Sequence, residues 1–121
     1  MTKTVLTVDD SRTIREMLRA TLTEAGMNVL QAEDGVHGLE VLRGARPDVI
    51  VTDINMPRMD GFGFIEAVRG DEQHRAIPIL VLTTESVDDK KDRARRLGAT
   101  GWIVKPFDPA KLVNAINRVA A

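Results

Sequence analysis

The chain contains no cysteine among its 121 residues, which excludes disulfide bonds, thiolate metal sites and a cysteine nucleophile. It has no excess of one charge either: the formal net charge is -1, so no basic field favours nucleic acid or an acidic membrane. No apolar run approaches the roughly 20 residues that span a bilayer, and the first residues do not resemble a signal peptide. These absences predict a soluble cytoplasmic protein with no nucleic-acid or membrane partner.

What the chain does contain is an alternation of strand-like and helical segments without a linker or repeat. The predicted strands are residues 5–8, 28–32, 49–51, 79–82 and 102–104, and each is followed by apolar residues at helical spacing. Because parallel strands need crossover connections, this order predicts an α/β domain over residues 1–121, with a five-stranded parallel sheet and helices on both faces. The first, third and fourth strands are expected in the centre and the more polar second strand at an edge.

Chemically active side chains follow four of the five predicted strands. Asp9 and Asp10 come after the first strand, Asp53 after the third, Thr83 at the end of the fourth and Lys105 after the fifth. The carboxyl ends of parallel strands share one edge of a sheet, which is where doubly wound folds place their functional cleft. The sequence therefore predicts that these five residues lie close together.

The chemistry of this set favours a phosphoryl-transfer site with a metal. Three neighbouring carboxylates repel one another, and a divalent cation such as Mg2+, which prefers oxygen ligands, relieves that repulsion. Lys105 and the Thr83 hydroxyl suit phosphoryl oxygens, and an aspartate can attack phosphorus to form an acyl phosphate. The alternative for Asp53 is a loop acid that caps the following helix.

Two other classes of parallel-sheet protein fit less well. Nucleotide and flavin sheets place a loop rich in glycine or serine after the first strand, whereas Asp9 and Asp10 would repel phosphate there unless a cation intervened. An aspartyl phosphatase of the haloacid-dehalogenase type, acting on small phosphate esters, uses an Asp-x-Asp pattern. The sequence Asp53-Ile54-Asn55 lacks the second acid, and no cap domain is present.

The chain resembles the CheY-like receiver domains of two-component response regulators over essentially its whole length. The motifs that carry the resemblance are Val8-Asp9-Asp10-Ser11, Asp53-Ile54-Asn55-Met56-Pro57, Met59-Asp60-Gly61, Leu82-Thr83-Thr84-Glu85 and Gly101-Trp102-Ile103-Val104-Lys105-Pro106-Phe107. The resemblance implies a flavodoxin-like strand order 2-1-3-4-5 and a single receiver domain without an output domain.

The resemblance also implies a role for each site residue. Asp53 would be the phosphoacceptor for a histidine kinase. Asp10, Asp53 and the backbone carbonyl of Asn55 would ligate Mg2+, and Asp9 would act through water. Lys105 would pair with the phosphoryl group, and its peptide bond to Pro106 would be cis.

Further positions match the family's switch and lifetime residues. Thr83 and Trp102 match the switch pair: the hydroxyl moves to the phosphoryl group and the aromatic ring turns into the vacated space. The chemotaxis type commonly carries tyrosine where this chain has Trp102, so complete burial of the larger indole stays open. Phosphoryl lifetime is expected to depend on Asn55 and Glu85.

The function implied is that of a stand-alone, monomeric chemotaxis regulator rather than an enzyme, since it catalyses only its own phosphorylation and dephosphorylation. Its expected partners are a chemotaxis-type histidine kinase and a flagellar motor switch protein. A phosphorelay intermediate or phosphate sink is the alternative. Partners are expected to dock on the charged fourth helix, the fifth strand and the last helix. His37 and His74 receive no role, and Met17, Met27 and Met59 are expected to serve packing.

Overall fold

The computed structural model describes residues 2–120, and within them strands and helices alternate from one end to the other. The strands are β1 (Thr4–Val8), β2 (Asn28–Ala32), β3 (Val49–Thr52), β4 (Ile79–Thr83) and β5 (Gly101–Val104). The helices are α1 (Arg12–Glu24), α2 (Gly35–Gly44), α3 (Gly61–Arg69), α4 (Asp88–Leu97) and α5 (Pro109–Val119). Every strand pair is parallel and the order is β2-β1-β3-β4-β5, which confirms the predicted flavodoxin-like sheet.

The sheet separates two apolar cores because successive side chains of a strand point to opposite faces. One face packs against α2, α3 and α4, and its buried residues include Leu6, Ile50, Ile79, Val81, Leu42, Phe64, Ile65 and Val68. The other packs against α1 and α5, and its buried residues include Val5, Val49, Val51, Leu80, Leu18, Leu22, Leu112 and Ile116. Both faces of β1, β3 and β4 are therefore covered, which confirms their central positions. No helix of the described residues is both long and apolar enough to cross a membrane.

Helix α4 buries little apolar surface, and charged side chains add to its attachment. Ala94 is its one buried residue, and Val87, which was predicted to begin the helix, is instead its N-cap and is 53% exposed. The Arg93 guanidinium lies 4.1 Å from the centroid of the Phe62 ring on α3. Arg69 of α3 donates from Nε to the carbonyl of Gly98, 3.0 Å away. Gly98 ends α4 with a φ of 114°, which favours glycine.

Two side chains differ from the sequence-based expectation. Met17 is 49% exposed, so its predicted packing role is wrong. Leu18 and Leu22 fill the core face of α1, and Met17 lies about 100° around the helix from Leu18. His74, in the connection between α3 and β4 that was predicted to be polar, is 7% exposed and its Nδ1 lies 2.9 Å from Asp71 Oδ2.

Candidate phosphoryl-transfer site

Asp9 and Asp53 lie side by side because β1 and β3 pair in a register that places Val8 opposite Thr52. The residue after each of these is an aspartate, and the Asp53 N–H donates to the Val8 carbonyl at 2.9 Å. One carboxylate oxygen from each of Asp9, Asp10 and Asp53 lies within 4.8 Å of the other two. The structure thus brings together the three acids that the sequence placed at one edge of the sheet.

Asp53 is buried, and each of its carboxylate oxygens accepts a hydrogen bond. Oδ1 accepts from the Ile54 N–H at 2.6 Å, and Oδ2 accepts from Lys105 Nζ at 2.9 Å. The side chain is still 11% exposed, so the carboxylate reaches the surface of the cleft. The helix-cap alternative is wrong, because the N-cap of α3 is Asp60, whose carboxylate accepts from the Gly63 N–H at 2.9 Å.

Lys105 lies between two of the acids, with Nζ 2.7 Å from Asp9 Oδ2 and 2.9 Å from Asp53 Oδ2. Burial acts to lower the pKa of Lys105, but the hydrogen bonds and charges of both aspartates outweigh it and the pKa is raised. The ammonium therefore stays protonated. Its peptide bond to Pro106 is cis, as the resemblance implied.

Asp9 is the most deeply buried of the three acids, with 2% exposure. Burial raises the pKa of Asp9, and hydrogen bonds from Lys105 and the Ser11 N–H offset only part of that effect. The neighbouring charge of Asp53 adds to the increase. The ionised form of Asp9 is therefore strained electrostatically, even with a lysine beside it.

Asp10 is exposed, and within residues 2–120 its carboxylate has no hydrogen-bond or ion-pair partner. Three carboxylates and one ammonium leave this edge with a formal charge of about -2. The Asn55 carbonyl likewise accepts no hydrogen bond within the part of the chain that the structure describes. Carboxylate and carbonyl oxygens are the ligands that Mg2+ prefers, and the excess negative charge of the three acids favours a cation. Asp10, Asp53 and the Asn55 carbonyl are the groups that would hold it.

The last residue of β4, Thr83, and the loop that follows it carry one predicted switch residue and one predicted lifetime residue, Glu85. Thr83 is fully buried and Thr84 is exposed, so only Thr83 faces the interior. Its Oγ1 accepts from the Glu85 N–H at 3.3 Å. Glu85 Oε1 accepts from Asn55 Nδ2 at 3.1 Å and lies 3.0 Å from Lys90 Nζ. Lys90 and then Asn55 hold the pKa of Glu85 below its ordinary value.

Trp102 is half-buried on β5, opposite Val81 of β4. Its indole Nε1 donates to the backbone carbonyl of Glu85 at 3.1 Å. Tyrosine has no ring N–H, so this bond is specific to the tryptophan at position 102. The indole thereby joins β5 to the loop that follows Thr83.

An ion pair that the sequence analysis did not predict lies in the same cleft as Asp10. Arg58, at a φ of 63°, donates from Nε to Asp34 Oδ2 at 2.7 Å and from its terminal nitrogen to Asp34 Oδ1 at 3.0 Å. Asp34 is 2% exposed and also caps α2 through the His37 N–H. This pair joins the loop after β3 to the loop after β2, and no local pattern signals it because the partners are 24 residues apart.

Gly61 keeps the chain close to the phosphoacceptor candidate. A Cβ at this position would lie 2.2 Å from the Asp53 carbonyl oxygen and 2.8 Å from the Ile54 Cα. The Gly61 N–H donates to the Ile54 carbonyl at 2.8 Å. Both neighbours are backbone atoms that cannot rotate away, so only glycine allows this return of the chain.

The chain is similar to known proteins over nearly its whole length. The chain matches the response regulator receiver domain over residues 5–117. It is 36% identical over 116 residues to the chemotaxis protein CheY of Pseudomonas aeruginosa, covering 95% of this chain and 94% of that protein. It is 38% identical over 117 residues to Protein PilH of the same organism, covering 97% of each.

Solved structures agree with these relatives. Chemotaxis response regulator CheY4 of Vibrio cholerae gives a TM-score of 0.92 at 48% identity, covering 98% of this chain and 99% of that one. The receiver domain of a sensor histidine kinase from Pseudomonas aeruginosa PAO1, which has a magnesium ion coordinated in its active site cleft, gives 0.91 at 25% identity, covering 99% and 98%. Fold, matched sequence and relatives converge: this chain belongs to the response regulator receiver domain family.

Proposed function

We propose that this chain is a phosphorylation-activated signalling switch in which Asp53 accepts a phosphoryl group from a histidine kinase. The observation that carries the proposal is the Asp53 carboxylate at the cleft surface, with Lys105 on Oδ2 and Asp9 and Asp10 beside it. The Asp53 oxygen attacks phosphorus, an O–P bond forms, and the P–N bond of the phosphohistidine breaks. The imidazole leaves with the electron pair of the P–N bond and recovers a proton from solvent.

Each remaining group at the site has a task in this reaction. Mg2+ bound by Asp10, Asp53 and the Asn55 carbonyl would supply positive charge for the phosphoryl oxygens. Asp9, from its buried position, would hold a water ligand of that ion. Lys105 already lies against Asp53 Oδ2, so its ammonium can follow the phosphoryl oxygens as charge develops there.

The loop between β4 and α4 transmits the conformational change from Asp53 to the partner-binding surface. The Thr83 hydroxyl accepts from the Glu85 N–H and can donate its own hydrogen to a phosphoryl oxygen, so movement of Thr83 towards that oxygen shifts the loop that carries Glu85. The Glu85 carbonyl is bonded to the indole of Trp102, so movement of the loop reaches β5. Phosphorylation then shifts the population between two arrangements of Thr83 and Trp102.

We propose chemotaxis as the setting, with a chemotaxis-type kinase as donor and a flagellar motor switch protein as the receiver of the signal. Identity of 48% to CheY4 supports this choice. Protein PilH, which is not named as a chemotaxis protein, is about as similar to this chain as CheY is. The second candidate function is that of a phosphorelay intermediate or phosphate sink. A groove of about 470 Å³ between α4 and β5, lined by Arg95, Thr100 and Trp102 among others, is the surface offered to a partner. We further propose that residues 1–121 act as one monomeric receiver domain.

The test is incubation of the pure protein with acetyl phosphate and Mg2+, followed by mass spectrometry. We expect one phosphoryl group per chain on Asp53, a change in Trp102 fluorescence, and no modification of Asp53→Asn. Equal modification of that variant would refute the assignment of Asp53, and sustained turnover of a phosphate ester would instead indicate a phosphatase. Deletion of the gene separates the two candidate settings, since only a motor ligand directly alters reversal or stopping of the flagellar motor.

A further inference from the structure

Lys90 connects α4 to the cleft through a short chain of side-chain contacts. Its Nζ lies 3.0 Å from Glu85 Oε1, and the same oxygen accepts from Asn55 Nδ2 at 3.1 Å. Asn55 follows Asp53 by two residues. One carboxylate oxygen therefore joins the loop after β3, which begins with Asp53, to the first turn of α4.

The position of Lys90 is unfavourable for the helix itself. It lies in the first turn of α4, where the partial positive charge of the helix N-terminus disfavours a cation. The N-cap residue Val87 makes no side-chain cap bond that would compensate. Asp88 and Asp89 precede Lys90 in that turn, yet its ammonium reaches back to Glu85. The contact that accounts for this lysine is thus outside the helix.

We propose that Lys90 is a positioning residue for the phosphoryl chemistry of Asp53, acting by holding the Glu85 carboxylate against the Asn55 amide. The inference rests on the proposed function of Asp53. It adds a residue of α4 to the control of the site, beyond the two positions expected to set phosphoryl lifetime.

Two consequences follow from this geometry. With Lys90 in place, the Glu85 charge is partly neutralised where an anionic phosphodonor enters. The fixed side chains of Glu85 and Asn55 also limit the approach of water to the acyl phosphate. Without the ammonium, Glu85 is free to turn and presents its full charge, so phosphorylation slows and hydrolysis speeds up.

The experiment compares Lys90→Met with Lys91→Met. Lys91 is the adjacent, exposed lysine of α4, so both variants lose one positive charge from the same turn. We expect Lys90→Met to shorten the phosphoryl lifetime and to slow phosphorylation by acetyl phosphate, each by about two- to fivefold, the range for an exposed ion pair. Lys91→Met should match the wild type, Lys90→Arg should restore the wild-type values, and added salt should shrink the difference.

A double-mutant cycle excludes a merely structural effect. In a Glu85→Gln background, Lys90→Met should have no further influence on lifetime, because the partner charge has gone. Circular dichroism melting identifies any variant that fails to fold. Equal lifetimes for Lys90→Met and Lys91→Met, or an undiminished effect in the Glu85→Gln background, would overturn the inference. A wild-type protein that gains no phosphoryl group on Asp53 would instead refute the proposed function.

Discussion

Removal of the Asp10 carboxylate should stabilise the metal-free protein, although Asp10 is predicted to be a metal ligand. Two unit charges 4.8 Å apart repel by about 3.5 kcal/mol at an effective dielectric constant of 20 and by about 0.9 kcal/mol in bulk water. Asp10 is exposed and Lys105 partly offsets the two acids beside it, so the lower figure is the better guide. Asp10→Asn should therefore raise stability by about 1 kcal/mol, or Tm by about 4 °C.

Added Mg2+ should reverse that ranking. A cation that binds only the folded state contributes RT ln(1 + [Mg2+]/Kd), which is about 1.4 kcal/mol at ten times Kd. The wild type should gain this amount, whereas Asp10→Asn has lost a charged ligand and should gain much less. Asp10→Asn should thus be more stable than the wild type without Mg2+ and less stable with it. A general change in packing would shift stability in the same direction in both buffers.

The assay is thermal unfolding followed by circular dichroism, in EDTA and in MgCl2 at matched ionic strength. Glu72→Gln is the control, since Glu72 is an exposed acid in the connection between α3 and β4. We expect Glu72→Gln to follow the wild type in both buffers. A Tm for Asp10→Asn at or below that of Glu72→Gln in EDTA, or an equal gain from Mg2+ in wild type and Asp10→Asn, would refute the reasoning.

Two further substitutions test the same site. Gly61→Ala should lower the free energy of unfolding, measured in urea, by at least about 2 kcal/mol, because the new Cβ would lie 2.2 Å from the Asp53 carbonyl oxygen. Gly63→Ala should lower it less, because the Cβ there would lie 3.3 Å from the flexible Met59 side chain. Asp9→Asn should be more stable than the wild type at pH 7 without metal. Burial raises the pKa of the Asp9 carboxyl in the folded state, so the folded protein binds a proton there more tightly than the unfolded chain does. The extra stability of Asp9→Asn over the wild type should therefore shrink as the pH falls through the folded-state pKa towards 3.8. A pH-independent advantage in urea titrations would contradict the burial argument.

The sheet and its acidic edge were predictable because they depend on local pattern and on one topological rule. The uniformly apolar runs around Val49–Thr52 and Ile79–Thr83 predict buried strands, and parallel pairing then brings Asp9 next to Asp53. No side-chain geometry is needed for that step. The same reasoning correctly placed the more polar β2 at an edge.

Contacts between loops were not predictable in this way. The bond from Trp102 to the Glu85 carbonyl and the pair of Arg58 with Asp34 depend on the exact path of two loops, and neither produces a periodic signal. Met17 was misplaced because apolar character alone does not fix which side of α1 faces the core. The contact of Lys90 does have a signal in the sequence, because a lysine in the first turn of a helix is unfavourable without an acidic partner.

Because α4 buries little apolar surface, its exposed residues can change without disturbing the core or the phosphoryl-transfer site. Of the residues from Asp88 to Leu97, only Ala94 is fully covered by the core. Substitutions at the exposed positions of this helix leave the apolar cores untouched, so they carry a small stability penalty. Duplicated copies of such a domain can therefore diverge in partner choice while they keep the same phosphoryl chemistry. The same fold can therefore serve many separate signalling pathways without changes to its apolar cores.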